Sequence, residues 1–199
     1  MYTNLYSKIT DALVEDGYII IENALDPLLV QKLQECSIKG EGYKNAGISS
    51  KSDFHLDKQR RRDKTQWLHE DEKVQGQYLS FAQGLQDYLN HSLYLGLNDY
   101  EAHFALYEEG DFYEKHLDSF KNSKNRIVTT VFYLNDEWKK EDGGELIIYD
   151  ENGILLSKVV PKSNTLVVFL SEKFPHEVLP AKRKRYSIAG WFRVDKKII

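Results

Sequence analysis

The hydrophobic positions of this 199-residue chain repeat with a helical period in its first half. Three segments there predict helices: apolar residues spaced three or four apart before Gly17, a segment from Asp26 and Pro27 to about Ile38, and residues 75–91. Asp26 has the side chain of an N-cap, and Pro27 suits the first helical position because its missing N–H needs no partner there. The first half is therefore predicted to be mainly helical.

After residue 98 the pattern changes to an alternation of period two, which predicts strands. On the first of these strands His103, Ala105 and Tyr107 share one face. The other predicted strands are 18–21, 127–134, 145–149, 155–160, 165–170 and 185–193. Many short strands after a block of helices indicate an α+β fold: a double-stranded β-helix, or jelly roll barrel, buttressed by N-terminal helices.

Composition and charge narrow the class of protein. The length, with 41% hydrophobic and 29% charged residues, predicts a single globular domain over residues 1–199. Cys36 is the only cysteine, so no internal disulfide is possible, and together with the absence of a signal peptide this predicts a cytoplasmic protein. A net charge of −4 gives no general attraction to nucleic acid, and no apolar run is long enough to cross a membrane.

Four residues near the C-terminal end carry the most specific chemistry. His116 and Asp118 form an H-x-D pair on an extended segment, so both side chains are expected to project from the same face. His176 lies just past a predicted strand, and Arg185 begins another. Two imidazoles and one carboxylate leave coordination positions open, as in non-haem Fe(II) oxygenases. Zinc or manganese also accepts these ligands, so the donor set alone does not identify the metal.

Period two places Arg185 on one strand face with Ser187, Ala189 and Trp191. An arginine that points into a barrel needs an anion, and a carboxylate of 2-oxoglutarate is one that fits. Alternatively, Arg185 belongs to the basic run 182–185 on a solvated loop.

Tyrosines form a second group of candidates. Tyr133 shares a predicted face with Ile127, Thr129 and Val131, from which its hydroxyl is able to reach the same carboxylate as Arg185. The alternative for Tyr107, Tyr113 and Tyr133 is that each is a core aromatic. The remaining histidines, His103, His91, His69 and His55, have no ligand-like spacing and are predicted to be structural or superficial.

Six segments together have the order of a known family. They are Tyr107-Glu-Glu-Gly, Tyr113-Glu-Lys-His116-Leu-Asp118, Val131-Phe-Tyr133-Leu-Asn135, Asp142-Gly-Gly-Glu-Leu, Phe174-Pro-His176-Glu-Val, and Arg185-Tyr before Trp191. The chain resembles the Fe(II)/2-oxoglutarate dioxygenases. Upstream, Arg61-Arg62-Asp63-Lys64 before Trp67 makes it similar to the oxygen-sensing prolyl hydroxylases of the hypoxia-inducible factor type and their bacterial relatives.

The resemblance implies a role for each matching residue. His116, Asp118 and His176 are implied as iron ligands, and Arg185 with Tyr133 as the anchor of 2-oxoglutarate. Tyr107 and Trp191 are implied to line the same pocket. Arg61, Asp63 and Tyr113 are implied as substrate contacts. Two positions depart from the family pattern: Arg62 stands where a glycine is usual, and Ala189 where a hydroxyl residue is frequent.

The implied function is a protein prolyl 4-hydroxylase that couples oxidative decarboxylation of 2-oxoglutarate to succinate with hydroxylation of a peptidyl proline. Ascorbate is implied as reductant, dioxygen as co-substrate, and a translation factor such as elongation factor Tu as one possible target. Two alternatives remain: an oxygenase acting on a free amino acid or small metabolite, and a non-catalytic sensor of iron or 2-oxoglutarate. The basic run 58–62 is either a solvated loop or part of a 40–64 segment that closes over the peptide.

Overall fold

The structure is a computed structural model, and it describes residues 2–46, 60–119 and 125–194. The helices are α1 Thr3–Glu15, α2 Pro27–Lys39 and α3 Lys73–Leu93, with a 3₁₀ turn at Lys140–Asp142. The strands are β1 Tyr18–Glu22, β2 Lys44–Asn45, β3 Lys64–Trp67, β4 Asp99–Tyr107, β5 Tyr113–His116, β6 Arg126–Tyr133, β7 Leu146–Tyr149, β8 Leu155–Val159, β9 Thr165–Leu170, β10 His176–Val178 and β11 Arg185–Arg193. Every helix and strand predicted from the pattern is present.

The start of α2 and the end of α1 lie at the residues that the sequence indicated. The side chain of Asp26 accepts hydrogen bonds from the backbone N–H groups of Leu28 and Leu29, at 3.0 and 3.2 Å, with Pro27 in the first turn. Helix α1 ends before Gly17, whose φ of 81° lies in the left-handed region. These local signals predicted the start of α2 and the end of α1, whereas α3 has no side-chain cap at its start and extends two residues beyond the predicted range at each end.

Two antiparallel sheets form the barrel. The larger has seven strands in the order β1-β9-β6-β11-β4-β3-β2, and the smaller has four in the order β5-β10-β7-β8. The outer face of the larger sheet packs on all three helices through residues such as Phe104, Phe132 and Phe192. Its inner face meets the smaller sheet through Tyr133, Phe169 and their neighbours. This arrangement confirms the predicted jelly roll with helices against one sheet.

The predicted inner face of β6 was wrong at one residue, Ile127. Ile127 does not join Thr129 and Val131 on the inner side; it packs against the helix-side core. The ladder between β6 and β11 shifts register at this end, so that Val128 pairs with Phe192 whereas Arg126 pairs with Arg193. Such a shift reverses the facing of the residue it displaces, and a strict period of two does not foresee it.

The basic run 58–62 lies partly outside the described residues. Lys58, Gln59 and His55 lie outside the described residues, as does most of the 40–64 segment. The rest of the basic run divides: Arg60 is exposed and pairs with Glu114, whereas Arg61 points toward the barrel interior. Among the helices of the described ranges, none has the length and apolar content to cross a membrane.

Candidate active site

The three predicted metal ligands meet at the mouth of the barrel. His116 ends β5 and is the direct cross-strand partner of His176 in β10. Asp118 follows two residues later, in a bend rather than on the extended segment that the sequence predicted. Its two carboxylate oxygens lie 3.6 Å from Nε2 of His116 and 3.5 Å from Nε2 of His176. All three ligand atoms fall within 4.8 Å of one another.

Hydrogen bonds at the far side of each imidazole fix its tautomer. Nδ1 of His116 lies 2.7 Å from the carbonyl oxygen of Glu114, and Nδ1 of His176 lies 3.0 Å from that of Phe174. A carbonyl oxygen only accepts, so each Nδ1 carries the proton and donates. The Nε2 atom of each ring is therefore the one left for a metal, and it faces Asp118.

Asp118 is held as a carboxylate. Burial alone raises the pKa of a carboxyl group, but the positive charge that His176 and His116 carry when protonated, together with the charge of Arg126, outweighs this and brings the pKa of Asp118 well below its usual range. The hydroxyl of Thr129 donates to Asp118 at 2.9 Å and lies 2.8 Å from the hydroxyl of Ser171. Burial lowers the pKa of His176 to about 4, so its imidazole is neutral near pH 7. A divalent metal ion binds a carboxylate and two imidazoles through their unprotonated atoms, so this set of three side chains fits one.

Arg185 lies at the other end of the same cavity and is only 1% exposed. Its Nε donates to the carbonyl oxygen of Gly144 at 2.8 Å, and its guanidinium lies 4.9 and 5.0 Å from the ring centres of Tyr107 and Tyr133. No acidic side chain in the described part of the chain pairs with it. A buried cation of this kind suits an anionic ligand, and the solvated-loop alternative is excluded by its burial.

The hydroxyl of Tyr133 is directed to the same place. It is buried and has no hydrogen-bond partner among the residues described. Burial raises the pKa of Tyr133 to about 12, although the nearby Arg185 opposes the shift, so the phenol keeps its proton at neutral pH. It is therefore available as a donor beside the guanidinium, and the pair fits one carboxylate of 2-oxoglutarate.

Gly144 makes room for Arg185. Its φ of 69° is in the left-handed region, and a Cβ built there lies 2.8 Å from the Ala181 side chain and 3.2 Å from Cδ of Arg185. Asp142-Gly143-Gly144 belongs to one of the segments that carry the family resemblance, but the sequence did not predict this supporting role. The close contact with Arg185 was not visible because the two residues are distant in the chain.

The metal triad and Arg185 share one cavity of about 490 Å³. Its volume is within the range of small-molecule sites. Trp191 and Tyr107, both predicted to line the pocket, do so. The guanidinium of Arg126 stacks on Trp191 at 3.8 Å and donates to Glu101 at 2.8 Å. The cavity thus has a metal-binding end, an anion-binding end and aromatic walls.

The predicted substrate contacts gather at the rim. Arg61 donates to both carboxylate oxygens of Asp63, at 2.5 and 2.9 Å, and its guanidinium lies 4.6 Å from the ring centre of Tyr113. The Tyr113 ring in turn stacks on His116 at 3.6 Å between centres. A second depression of about 450 Å³ begins here and includes Arg61, Asp63 and Glu108. The geometry connects these residues to the metal end, while their contact with substrate stays a prediction.

Two residues of the site, His103 and Thr129, were not predicted as functional from the sequence. His103 was predicted to be structural or superficial because its spacing does not match a ligand pair, yet it lines the cavity at 3% exposure. The period-two pattern had already placed His103 on the face of Tyr107, which was the available signal. Thr129 was placed on the face of Tyr133, but its hydrogen bond to Asp118 joins β6 to the bend that follows β5, a contact that strand periodicity does not predict.

Comparison with known proteins agrees with this geometry. A family model, the 2OG-Fe(II) oxygenase superfamily, matches residues 102–193. The hypoxia-inducible factor prolyl hydroxylase of Caenorhabditis elegans is 37% identical over 98 residues, which are 48% of this chain and 13% of that protein. Egl nine homolog 1 of Homo sapiens is 39% identical over 85 residues, 42% of this chain and 20% of that protein. The chain thus matches only a fraction of these curated relatives' length.

Solved structures match over nearly the whole chain. The crystal structure of a Pseudomonas putida prolyl-4-hydroxylase has a TM-score of 0.86 and 37% identity, and the match covers 96% of this chain and 100% of that one. A prolyl hydroxylase from Trichoplax adhaerens, in complex with a hypoxia inducible factor oxygen degradation domain peptide fragment, has a TM-score of 0.83 and 27% identity. That match covers 96% of this chain and 89% of the other.

Proposed function

Because the chain belongs to the 2OG-Fe(II) oxygenase superfamily, we propose that it is an Fe(II)- and 2-oxoglutarate-dependent protein prolyl 4-hydroxylase. The observation that carries the proposal is the pairing, within one cavity, of the metal triad with the buried Arg185. Neither end alone is specific to this chemistry, since many metal sites use His and Asp. Together they fit a small dicarboxylate that reaches a metal at one end and a guanidinium at the other.

Each residue then has a defined task. His116, Asp118 and His176 hold the iron, whose chemistry when bound is the activation of dioxygen with 2-oxoglutarate as the source of two electrons. Arg185 and Tyr133 hold the distal carboxylate and so orient the co-substrate. Thr129 keeps the Asp118 carboxylate in position. The aromatic walls of Tyr107 and Trp191 exclude water from the cavity.

A peptide substrate is favoured by the shape of the rim. The second depression shares Asn45, Ala46, Arg61 and Asp63 with the main cavity, so a ligand at the metal is able to continue along the surface. A free amino acid is too small to occupy both the main cavity and this second depression. The peptide-bound relative from Trichoplax adhaerens supports the same proposal. We further propose ascorbate as reductant and a proline in an intracellular protein, such as a translation factor, as the target.

Mass spectrometry tests the proposal directly. A dialysed cell extract receives Fe(II), 2-oxoglutarate, ascorbate and ¹⁸O₂, with either the native protein or its His116→Ala variant. We expect a proline that gains one ¹⁸O atom with the native protein alone, and only when 2-oxoglutarate is present. The variant controls for oxidation by free iron.

Other results point to the alternatives. Succinate formation that needs a small metabolite, with no labelled protein, replaces protein hydroxylation by small-molecule oxygenation. Binding of iron and 2-oxoglutarate without succinate from any fraction of the extract favours a non-catalytic sensor. Labelling that is equal with the native protein and the variant rejects the assignment of His116.

A further inference from the structure

His103 is a buried imidazole in the cavity wall that the proposed function leaves without a task. It lies on the inner face of β4, directly opposite Ala189 of β11 on one side and Trp67 of β3 on the other. Its exposure is 3%, and neither ring nitrogen has a hydrogen-bond partner within the described ranges. Buried polar atoms without partners are rare in proteins, because their desolvation is costly.

The strand register places His103 between the two ends of the cavity. Arg185 pairs with Tyr107 at the anion-binding end, and Trp191 pairs with Thr129 next to the metal-binding end. Tyr107 and His103 are four positions apart on the strand, or about 13 Å at about 3.3 Å per residue. A dicarboxylate that runs from Arg185 to the metal ligands therefore approaches the level of His103 with the end that binds the metal.

The neighbour opposite His103 leaves space for such a ligand. Ala189 has the smallest side chain on the inner face of β11, and it lies beside Val131 of β6. Neither residue has a side-chain polar atom. At this level of the cavity, among these three paired positions, only the imidazole of His103 offers a hydrogen bond.

The imidazole is neutral and held in place. Burial lowers the pKa of His103 to about 3, and the nearby guanidinium of Arg61 adds to the shift. A neutral ring has one N–H donor and one acceptor nitrogen. Its ring stands edge-on to Trp67 at 5.2 Å between centres and lies 5.3 Å from Trp191. Two indoles therefore fix the direction in which its nitrogens point.

We propose that His103 donates a hydrogen bond to the metal-side carboxylate of bound 2-oxoglutarate. The inference rests on the proposed function and adds a third contact to those of Arg185 and Tyr133. It assigns His103 a binding role in place of the packing role that its two indole neighbours alone suggest.

Calorimetry on the zinc-loaded protein tests the proposal, because zinc is redox-inert and the protein then binds 2-oxoglutarate without turnover. His103→Phe keeps the ring and its packing but removes both nitrogens, and we expect its affinity for 2-oxoglutarate to fall about tenfold or more. His103→Gln keeps an N–H donor and is expected to retain affinity within a few-fold of the native protein. His91→Gln, on α3, is the matched control and leaves the affinity unchanged.

Nuclear magnetic resonance gives a second readout on the native sequence. With ¹⁵N-histidine label and zinc, the side-chain signals of His103 are assigned by their loss in His103→Gln. We expect 2-oxoglutarate to shift the protonated nitrogen of His103 as a hydrogen bond forms, while the His91 signals stay in place.

The outcomes separate this inference from the function on which it rests. If Arg185→Met loses affinity while His103→Phe binds as the native protein does and the His103 signals do not shift, His103 has only a packing role. If the native zinc-loaded protein does not bind 2-oxoglutarate at all, the proposed function fails together with this inference.

Discussion

The two faces of the seven-stranded sheet are built from alternate residues of the same strands, yet polar side chains buried on the two faces differ in their hydrogen bonds. On the outer face, Thr130 lies 2.8 Å from the hydroxyl of Tyr100 and reaches the carbonyl oxygen of Gly190 at 3.3 Å. On the inner face, Tyr133 and Trp191 have buried polar atoms without protein partners in the described part of the chain. The hydroxyl of Thr130 thus has its hydrogen bonds within the protein, whereas Tyr133 and Trp191 leave polar atoms open to a ligand.

Because of this difference, adjacent residues of one strand contribute to different properties: one to the stability of the fold, the next to the binding site. Phe132 and Tyr133 are neighbours on β6, and so are Thr129 and Thr130, but each pair divides between the two faces. Outer residues contribute apolar burial against the helices. On the inner face, Tyr133 and Trp191 keep polar atoms out of water without a partner among the described residues, which costs stability in the absence of a ligand. Substitutions at adjacent positions are therefore expected to have different kinds of effect.

The largest effect is expected on the inner side, from His116→Ala. Removal of one of three ligands leaves the metal with two, and we expect no detectable 2-oxoglutarate-dependent succinate formation in metal-defined protein. The thermal unfolding midpoint of the metal-free protein should change little, because His116 lies at the rim. Succinate formation at the native rate would contradict its role as a ligand.

Phe132→Ala tests the outer face. Phe132 is fully buried against the helices, and its truncation should lower the free energy of unfolding by about 3 to 5 kcal/mol, as measured with urea. The variant protein that remains folded is expected to bind zinc with native affinity. Tyr133→Phe, at the next residue, is the matched control. It should retain native stability but bind 2-oxoglutarate less tightly, whereas Phe132→Ala should lose stability and keep its metal site.

Arg185→Met should weaken the binding of 2-oxoglutarate to the zinc-loaded protein about a hundredfold or more, because the ligand loses its charged partner in a buried site. The metal-free variant should be at least as stable as the native protein, since an unpaired buried cation has been replaced by an apolar side chain of similar length. Calorimetry and thermal unfolding measure the two effects. An unchanged affinity would remove Arg185 from the site.

The smallest effects are expected from the adjacent residues Thr129 and Thr130, which lie on opposite faces of the sheet and have similar side chains. Thr129→Val removes the hydrogen bond to Asp118 and should lower zinc affinity about ten- to a hundredfold, with little change in stability. Thr130→Val removes the bond to Tyr100 and should cost about 1 kcal/mol of stability, with zinc affinity unchanged. Equal effects of the two substitutions on zinc affinity would contradict the division between the faces.

Much of this organisation was predictable from the sequence. The change from a helical period to a period of two predicted the α+β fold and the strands, and the same alternation placed Arg185, Ser187 and Trp191 on one face. The H-x-D pair with a distal His predicted three residues that the structure brings together. These predictions succeeded because they depend on local periodicity, or on a motif whose chemistry restricts its geometry.

What was missed depends on contacts between distant segments. The short strands β5 and β10 carry too few residues for a periodic signal; they pair with each other, and β10 also pairs with β7. Ile127 was placed on the wrong face because of the register shift near its end of β6. His103 was not predicted as a site residue because its spacing to the other histidines does not match a ligand pair. Its position opposite Ala189 follows from strand pairing, which one sequence does not specify.

The pairing of His116 with His176 also has a consequence for how the chain folds. The two imidazoles become neighbours only when β5 and β10 join, and these strands are separated by β6, β7, β8 and β9 along the chain. Closure of such a long loop is expected to come late in folding. A Co(II) absorption band from the completed site should therefore appear with the slowest refolding phase, after the helices have formed. In that case metal binding follows formation of the native fold and does not determine the order in which the earlier elements form.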